Sequence, residues 1–281
     1  MKGKICLVTG ATAGIGKVTA LELARKGATV VAVGRDLAKG KATVDEIKAA
    51  TGNADVHLML CDVSSQAAVR KLAAEFKAKF DRLHVLVNNA GVVLGESKLT
   101  ADGVEATFAT NHLAYFLLTN LLLDVIVASG PARIVSVASE AHRAGKLDFD
   151  DLQYTRRGYS MMGAYGTSKL ANIAWSAELA RRLEGKNVTA NSLHPGVIAS
   201  SFGQSGNALL RFAIKLGSPF LISPEKGAAT TLYLASSPEV EGVTGKYFSK
   251  KKAIAPNTQA SDPETGRRLW AISEELTAKS A

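Results

Sequence analysis

Cysteine is scarce in this chain: Cys6 and Cys61 are the only two in 281 residues. Both fall in stretches that read as buried strands, so no disulfide framework is implied and a reducing, cytoplasmic setting is expected. Long hydrophobic runs are missing too. The most apolar stretch, residues 113–128, contains Asn120 and Asp124 and is too short and too polar for a bilayer span; it reads as a buried helix. The first strand begins almost at Met1, so no signal peptide is expected. Aromatic residues make up 6%, and no basic block is interleaved with them despite a net charge of +9, which argues against nucleic-acid binding. Internal repeats, low-complexity tracts and linkers are absent, and no metal site is read from the sequence. A single domain over 1–281 follows.

What is present is an alternation of two periods. Short apolar runs at 4–9, 28–33, 55–61, 83–88, 132–138, 188–193 and 246–248 predict about seven strands. Helical patterns fill the intervals: 15–26, 37–50, 65–79, 101–128 with a break near its start, 163–184, 207–216, 224–236 and 263–278. Strands alternating with helices imply an α/β fold, a Rossmann-type doubly wound parallel sheet with helices on both faces. The last helix has a legible start, with Asp262 as N-cap and Pro263 as first helical residue.

The first strand-to-helix junction is glycine-rich. Gly10, Gly14 and Gly16 in TGATAGIG give G-x-x-x-G-x-G, which suits a tight turn and a helix start that receives a pyrophosphate. The second strand ends in Gly34-Arg35-Asp36. An acidic residue at the place of Gly34 would bind a ribose 2′-hydroxyl; Arg35 beside it suits a 2′-phosphate instead, which favours NADP(H) over NAD(H). The alternative is that Arg35 is a solvated loop residue and Asp36 only caps the next helix.

Tyr165 and Lys169 lie four apart in AYGTSKLAN, downstream of a strand-like segment ending at Ser139. On a helix they share a face, and a nearby cation favours phenolate, which would lower the tyrosine pKa. Ser136 is the competing serine; lying within the strand, it should point away from the cleft mouth. No G-x-S-x-G or histidine pairing surrounds Ser139, so a serine hydrolase is not supported. His142 and His194 read as structural or substrate-proximal.

With TGATAGIG, CDV (61–63), NNAG (88–91), Asn111, Ser139, YGTSK (165–169) and HPG (194–196), the chain resembles the short-chain dehydrogenase/reductase family over nearly its whole length. NHLAYFLLTNLLL (111–123), SKLAN (168–172), GKYFS (245–249) and RRLWAISEEL (267–276) resemble its retinol dehydrogenase-like branch. The resemblance implies that Gly10, Thr12, Gly14, Ile15 and Gly16 line the pyrophosphate turn. Ala13 stands where some NADP-preferring relatives carry a basic residue. Asp62 would meet the adenine amino group with Val63 beside the ring. Asn89, Ala90 and Gly91 would run along the adenosine side and cofactor ribose, and Pro195, Val197 and Ser200 would meet the nicotinamide. Asn111, Ser139, Tyr165 and Lys169 would be catalytic: Ser139 polarises a carbonyl oxygen, Tyr165 protonates it, Lys169 lowers the tyrosine pKa and holds ribose hydroxyls, and Asn111 holds a relay water.

The expected activity is interconversion of a hydrophobic aldehyde or ketone and its alcohol. A non-catalytic NADP(H)-binding regulator is the alternative; retention of Tyr165 and Lys169 disfavours it. A sugar-nucleotide epimerase or dehydratase fits the glycine spacing and short C-terminal region poorly. Residues 201–222 are rich in apolar side chains, among them Leu209, Leu210 and Phe212, and read as a substrate lid or else a packed surface helix. Met161 and Met162 are further candidates for the pocket wall. Helices 101–128 and 163–184 are apolar enough to pair in a homodimer or homotetramer.

Overall fold

The computed structural model describes residues 1–196 and 222–278. Eight strands form one sheet: β1 (Ile5–Thr9), β2 (Thr29–Gly34), β3 (Val56–Leu60), β4 (Val85–Asn88), β5 (Ala132–Val137), β6 (Val188–His194), β7 (Tyr247–Ser249) and β8 (Lys252–Ile254). Their order is β3-β2-β1-β4-β5-β6-β7-β8, parallel throughout except for the antiparallel β7–β8 pair.

Alternation within the strands explains why both faces are covered. Leu7, Val31, Val33, Leu86 and Ile134 point into one apolar layer; Cys6, Val8, Val30, Ala32, Val85, Val87 and Val135 point into the other. Helices α1 (Gly14–Arg25), α2 (Leu37–Thr51) and α8 (Pro224–Ser236) cover the second face. The first is covered by α3 (Gln66–Lys79), α4 (Ala106–Phe108), α5 (Ala114–Leu121), α6 (Leu123–Ala128), α7 (Met161–Arg182), α9 (Thr258–Ser261) and α10 (Pro263–Ala278). Cys6 and Cys61 are buried free thiols, and burial pushes both up to about 12.

Two differences from the sequence reading have physical causes. The expected long helix over 101–128 is segmented: Glu105 caps its start by accepting from the Thr107 and Phe108 N–H groups, a π-turn occupies Ala109–Leu113, and a second break falls at Leu122. A π-turn inserts an extra residue without disturbing apolar periodicity enough to be read. The sheet has eight strands rather than about seven. Lys250 and Lys251, at φ 50° and 63°, make the two-residue turn of a hairpin, and each residue of Lys252–Ile254 is exposed. Such turns are usually signalled by Asn-Gly, and a short exposed edge strand has no buried face to alternate.

In this order the sequence of strands runs outward one way from β1 (to β2 and β3) and the other way from β4 (to β5 and β6), so the strand order reverses between β1 and β4. There the loops after neighbouring strands diverge, opening a crevice at the carboxyl ends of the strands.

Candidate active site

A cleft of about 560 Å³ opens at that reversal and is lined by the glycine turn, the ends of β2, β4 and β5, and one face of α7. Gly10 and Gly14 have φ of 65° and 53°. Gly16 is required by proximity: a Cβ there would lie 2.2 Å from the Gly10 carbonyl oxygen and 2.5 Å from Asn89 Nδ2. The turn therefore folds onto β4 with its backbone bare toward the cleft. Helix α1 begins at this turn with Ala13 as N-cap and no side-chain cap, whereas Asp36, Ser65, Ser160 and Ser223 cap α2, α3, α7 and α8. Uncapped N–H groups facing a cleft suit a phosphate.

At the end of β2, a Cβ on Gly34 would meet Thr12 Cγ2 at 2.5 Å, so the position is closed to an acidic side chain unless Thr12 shifts. Arg35 is exposed, lines the cleft and has no carboxylate partner among the described residues. Asp36 does cap α2, accepting from Lys39 N at 2.9 Å, so the two readings of this dipeptide are compatible. Asp62 and Val63 line the same wall; the Asp62 carboxylate accepts from the Ser64 amide and hydroxyl at 3.0 and 2.8 Å. Asn89 is a staple between strands: its Nδ2 donates to the Thr9 and Gly10 carbonyls, while its own amide donates to Thr9 Oγ1. Thr12, Ile15, Ala90, Gly91 and Pro195 also line the cleft. Val197, Ser200 and the proposed lid, except Ile222, lie outside the described residues.

Ser139 follows β5 and starts a 3-10 turn (Glu140–Ala144); its Oγ accepts from Ala141 N at 3.2 Å and hydrogen-bonds with the Tyr165 phenol. Two glycines make this meeting possible. A Cβ on Gly166 would sit 2.6 Å from the Ala141 carbonyl, and one on Gly145 2.4 Å from Gly166 backbone. Helix α7 thus presses directly on the turn that carries Ser139, and Tyr165, next to Gly166, is delivered to it. Lys169, one turn on, is 2% exposed; its Nζ donates to the Val137 carbonyl at 2.9 Å and lies 5.7 Å from the Tyr165 ring centre.

Burial governs the electrostatics. It pushes the Tyr165 phenol up to about 12, against the opposing hydrogen bond with Ser139, and brings the Lys169 ammonium down to about 7. The expected lowering of Tyr165 by Lys169 does not dominate, because desolvation disfavours charge on both groups.

Asn111 sits in the π-turn behind the cleft wall, fully buried. Its side chain brackets the backbone of Val92, accepting from its N–H at 2.7 Å and donating to its carbonyl at 2.9 Å, and also donates to Ser168 Oγ. Both Nδ2 hydrogens are thereby used. Ser136 is buried within β5, does not line the cleft, and its hydroxyl has no partner among the described residues. His142 is structural: Nδ1–H donates to the Ser139 carbonyl and Nε2 accepts from Asn257 N. His194 lines the cleft and accepts from Glu140 N. Neither Met161 nor Met162 lines it.

The sequence reading missed Val92 and Thr110, which form wall, and Tyr115, whose ring lies 5.6 Å from Lys169 Nζ. The signal for Tyr115 was its i+4 spacing from Asn111. A second cavity of about 650 Å³ lies at the opposite end of the sheet, near His84, Arg133 and Lys246, and holds none of the predicted site residues. Among the described residues no cluster of His, Cys, Asp and Glu could hold a metal ion, and no helix is long and apolar enough to cross a membrane.

Known proteins match this arrangement across the chain. A short chain dehydrogenase family model matches residues 4–208. Retinol dehydrogenase 12 of Mus musculus is 44% identical over 274 residues, covering 98% of this chain and 86% of that protein. Retinol dehydrogenase 13 of Homo sapiens is 44% identical over 284 residues, covering 99% and 86%. Among solved structures, an NADP active-site complex of RhlG from Pseudomonas aeruginosa superposes with a TM-score of 0.71 at 28% identity, covering 88% of this chain and 94% of that one. The chain belongs to the short-chain dehydrogenase family, with retinol dehydrogenases among its relatives.

Proposed function

We propose that this protein is an NADP(H)-dependent oxidoreductase that interconverts a hydrophobic aldehyde or ketone and its alcohol, with Tyr165 as general acid and base. The observation that carries the reading is the junction of the Ser139 hydroxyl, the Tyr165 phenol and the buried Lys169 in the same cleft as Arg35 and the uncapped start of α1. The cradle fits a dinucleotide phosphate: bare backbone at Gly10 and Gly14, a helix start with no side-chain cap, and a guanidinium at the end of β2 with no carboxylate partner among the described residues.

When bound, NADPH supplies the hydride. Ser139 then hydrogen-bonds the carbonyl oxygen as negative charge grows on it, and Tyr165 gives that oxygen its proton. Burial keeps Tyr165 protonated, which suits a donor in the reductive direction. Lys169 adjoins Tyr165 and the Gly91 backbone, within reach of a ribose at that wall. The hydrophobic substrate class rests on the apolar composition of 202–222 and on the retinol dehydrogenases that resemble this chain.

A cytoplasmic location and a homodimer or homotetramer complete the proposal. Helix α10 already packs along α7, so assembly through α7 has to use surface that α10 leaves free.

The test follows NADPH, and separately NADH, by absorbance with a panel of hydrophobic aldehydes and ketones. NADPH should be consumed, and Tyr165→Phe should slow turnover by about 10²- to 10⁴-fold while NADPH still binds. NADPH binding without turnover on the panel favours the regulatory alternative.

A further inference from the structure

The C-terminal helix reads in sequence as scaffold, yet it is wired to the site. Asn111, His112, Asn172 and Ser273 are all fully buried and form an unbroken line. Asn172 Nδ2 on α7 donates to the Asn111 carbonyl at 2.8 Å. Asn172 Oδ1 faces His112 Nδ1 at 3.2 Å, and His112 Nε2 faces Ser273 Oγ on α10 at 3.0 Å.

The partners fix the direction of the two bonds made by Asn172. Asn172 uses its NH₂ on Asn111, so its Oδ1 accepts and His112 Nδ1 carries the proton. Burial lowers His112 to about 4, so the ring is neutral near pH 7 and its Nε2 is an acceptor. The single Ser273 hydroxyl proton then faces two acceptors, Leu269 O at 2.8 Å and His112 Nε2 at 3.0 Å. The line links Ser273 to His112, His112 to Asn172 and Asn172 to the carbonyl of Asn111. Phe108, at 4.9 Å between ring centres, and Trp175, edge-on at 6.3 Å, pack around His112.

We propose that Ser273, His112 and Asn172 form a positioning chain that lets α10 set the orientation of Asn111, and through it the cleft wall at Gly91 and Val92. This rests on the oxidoreductase reading above. Asn111 clamps both backbone groups of Val92. The preceding Gly91 is so placed that a Cβ would lie 3.2 Å from Asn111 Oδ1 and 3.5 Å from Lys169 Nζ. A tilt of Asn111 therefore moves the wall against Lys169 without touching the glycine turn or Arg35, where the phosphates bind in this reading. Neither Ser273 nor His112 lines the cleft; they act through Asn111, not on the substrate.

The experiment compares Ser273→Ala, His112→Asn and the double variant in NADPH-dependent turnover, with Tyr165→Phe as control. Ser273→Ala removes the terminal donor; His112→Asn keeps a donor for Asn172 but cuts the link to Ser273. Each should lower kcat about fivefold, the rate equivalent of one neutral hydrogen bond, with the KM for NADPH unchanged. The double variant should lose no more than either single one, because both cut the same link. Exchange of the Val92 amide with deuterium should quicken in each variant, a readout that needs no substrate. An unchanged kcat and an unchanged Val92 exchange rate, with only a lower melting temperature, overturn the proposal. NADPH binding to the wild type without turnover overturns the oxidoreductase reading instead, and the Val92 exchange then decides the positioning chain alone.

Discussion

Lys169 buries its ammonium in the cleft wall, and its pKa of about 7 records the cost. The ordinary lysine value is 10.5, so between about 7 and 10.5 the unfolded chain carries a proton that the folded chain has lost. Stability then rises with pH across that window, and the group contributes no slope below it. Lys169→Met removes this dependence. The variant should unfold at pH 6 no more easily than the wild type, should lack the gain in stability from pH 7 to pH 9 that urea titrations of the wild type are expected to show, and should retain about 1% or less of the turnover. At the other end of the cleft, Arg35 has no carboxylate partner among the described residues. Arg35→Ser should weaken NADPH binding about tenfold, as expected for a lost charge-assisted hydrogen bond, and leave NADH binding unchanged; fluorescence titration with each nucleotide separates the two. Both residues were legible in the sequence as types and spacings. The balance between charge and burial at Lys169 was not, because spacing conveys proximity but says nothing of solvent.

At the scale of elements, the site depends on how closely α7 approaches the turn after β5. Gly145 and Gly166 allow backbone to meet backbone there, which sets Tyr165 against Ser139. Gly166→Ala introduces a Cβ 2.6 Å from the Ala141 carbonyl, and neither backbone can yield cheaply. A displacement of about 1 Å should cost about 10²-fold in turnover, while NADPH affinity stays near wild type because the glycine turn is untouched. Stopped-flow turnover with parallel nucleotide titration checks this. The strands and long helices were readable from their periods, and Asp36, Ser65, Ser160 and Ser223 prove to cap four of the helix starts. The π-turn was not readable, since Ala109–Leu113 continues an apolar run. The hairpin of β7 and β8 escaped because two lysines occupy a turn that usually calls for Asn and Gly.

At the scale of the molecule, α10 closes the first face of the sheet and joins the end of the chain to its middle. Trp270 meets Phe116 edge-on at 5.0 Å, Arg182 stacks over its indole at 4.1 Å, and its Nε1 donates to Glu274. Gln66 and Arg70 on α3 donate to the carbonyls of Leu276 and Thr277, near the far end of the same helix. Trp270→Ala should cost about 3 to 5 kcal/mol in urea unfolding, the usual range for a buried aromatic truncated to alanine. If α10 were only loosely attached, the loss would fall below about 1 kcal/mol.

The sequence by itself determined the alternation of strand and helix, the glycine turn, the Tyr165–Lys169 pair and Arg35, because each is written in local spacing and residue type. Tertiary structure decided the rest. It spent the Asn111 side chain on Val92 and laid Ser273 against His112 across 161 positions of chain. Those outcomes rest on desolvation and on contacts between distant segments, and neither leaves a periodic mark in the order of the residues.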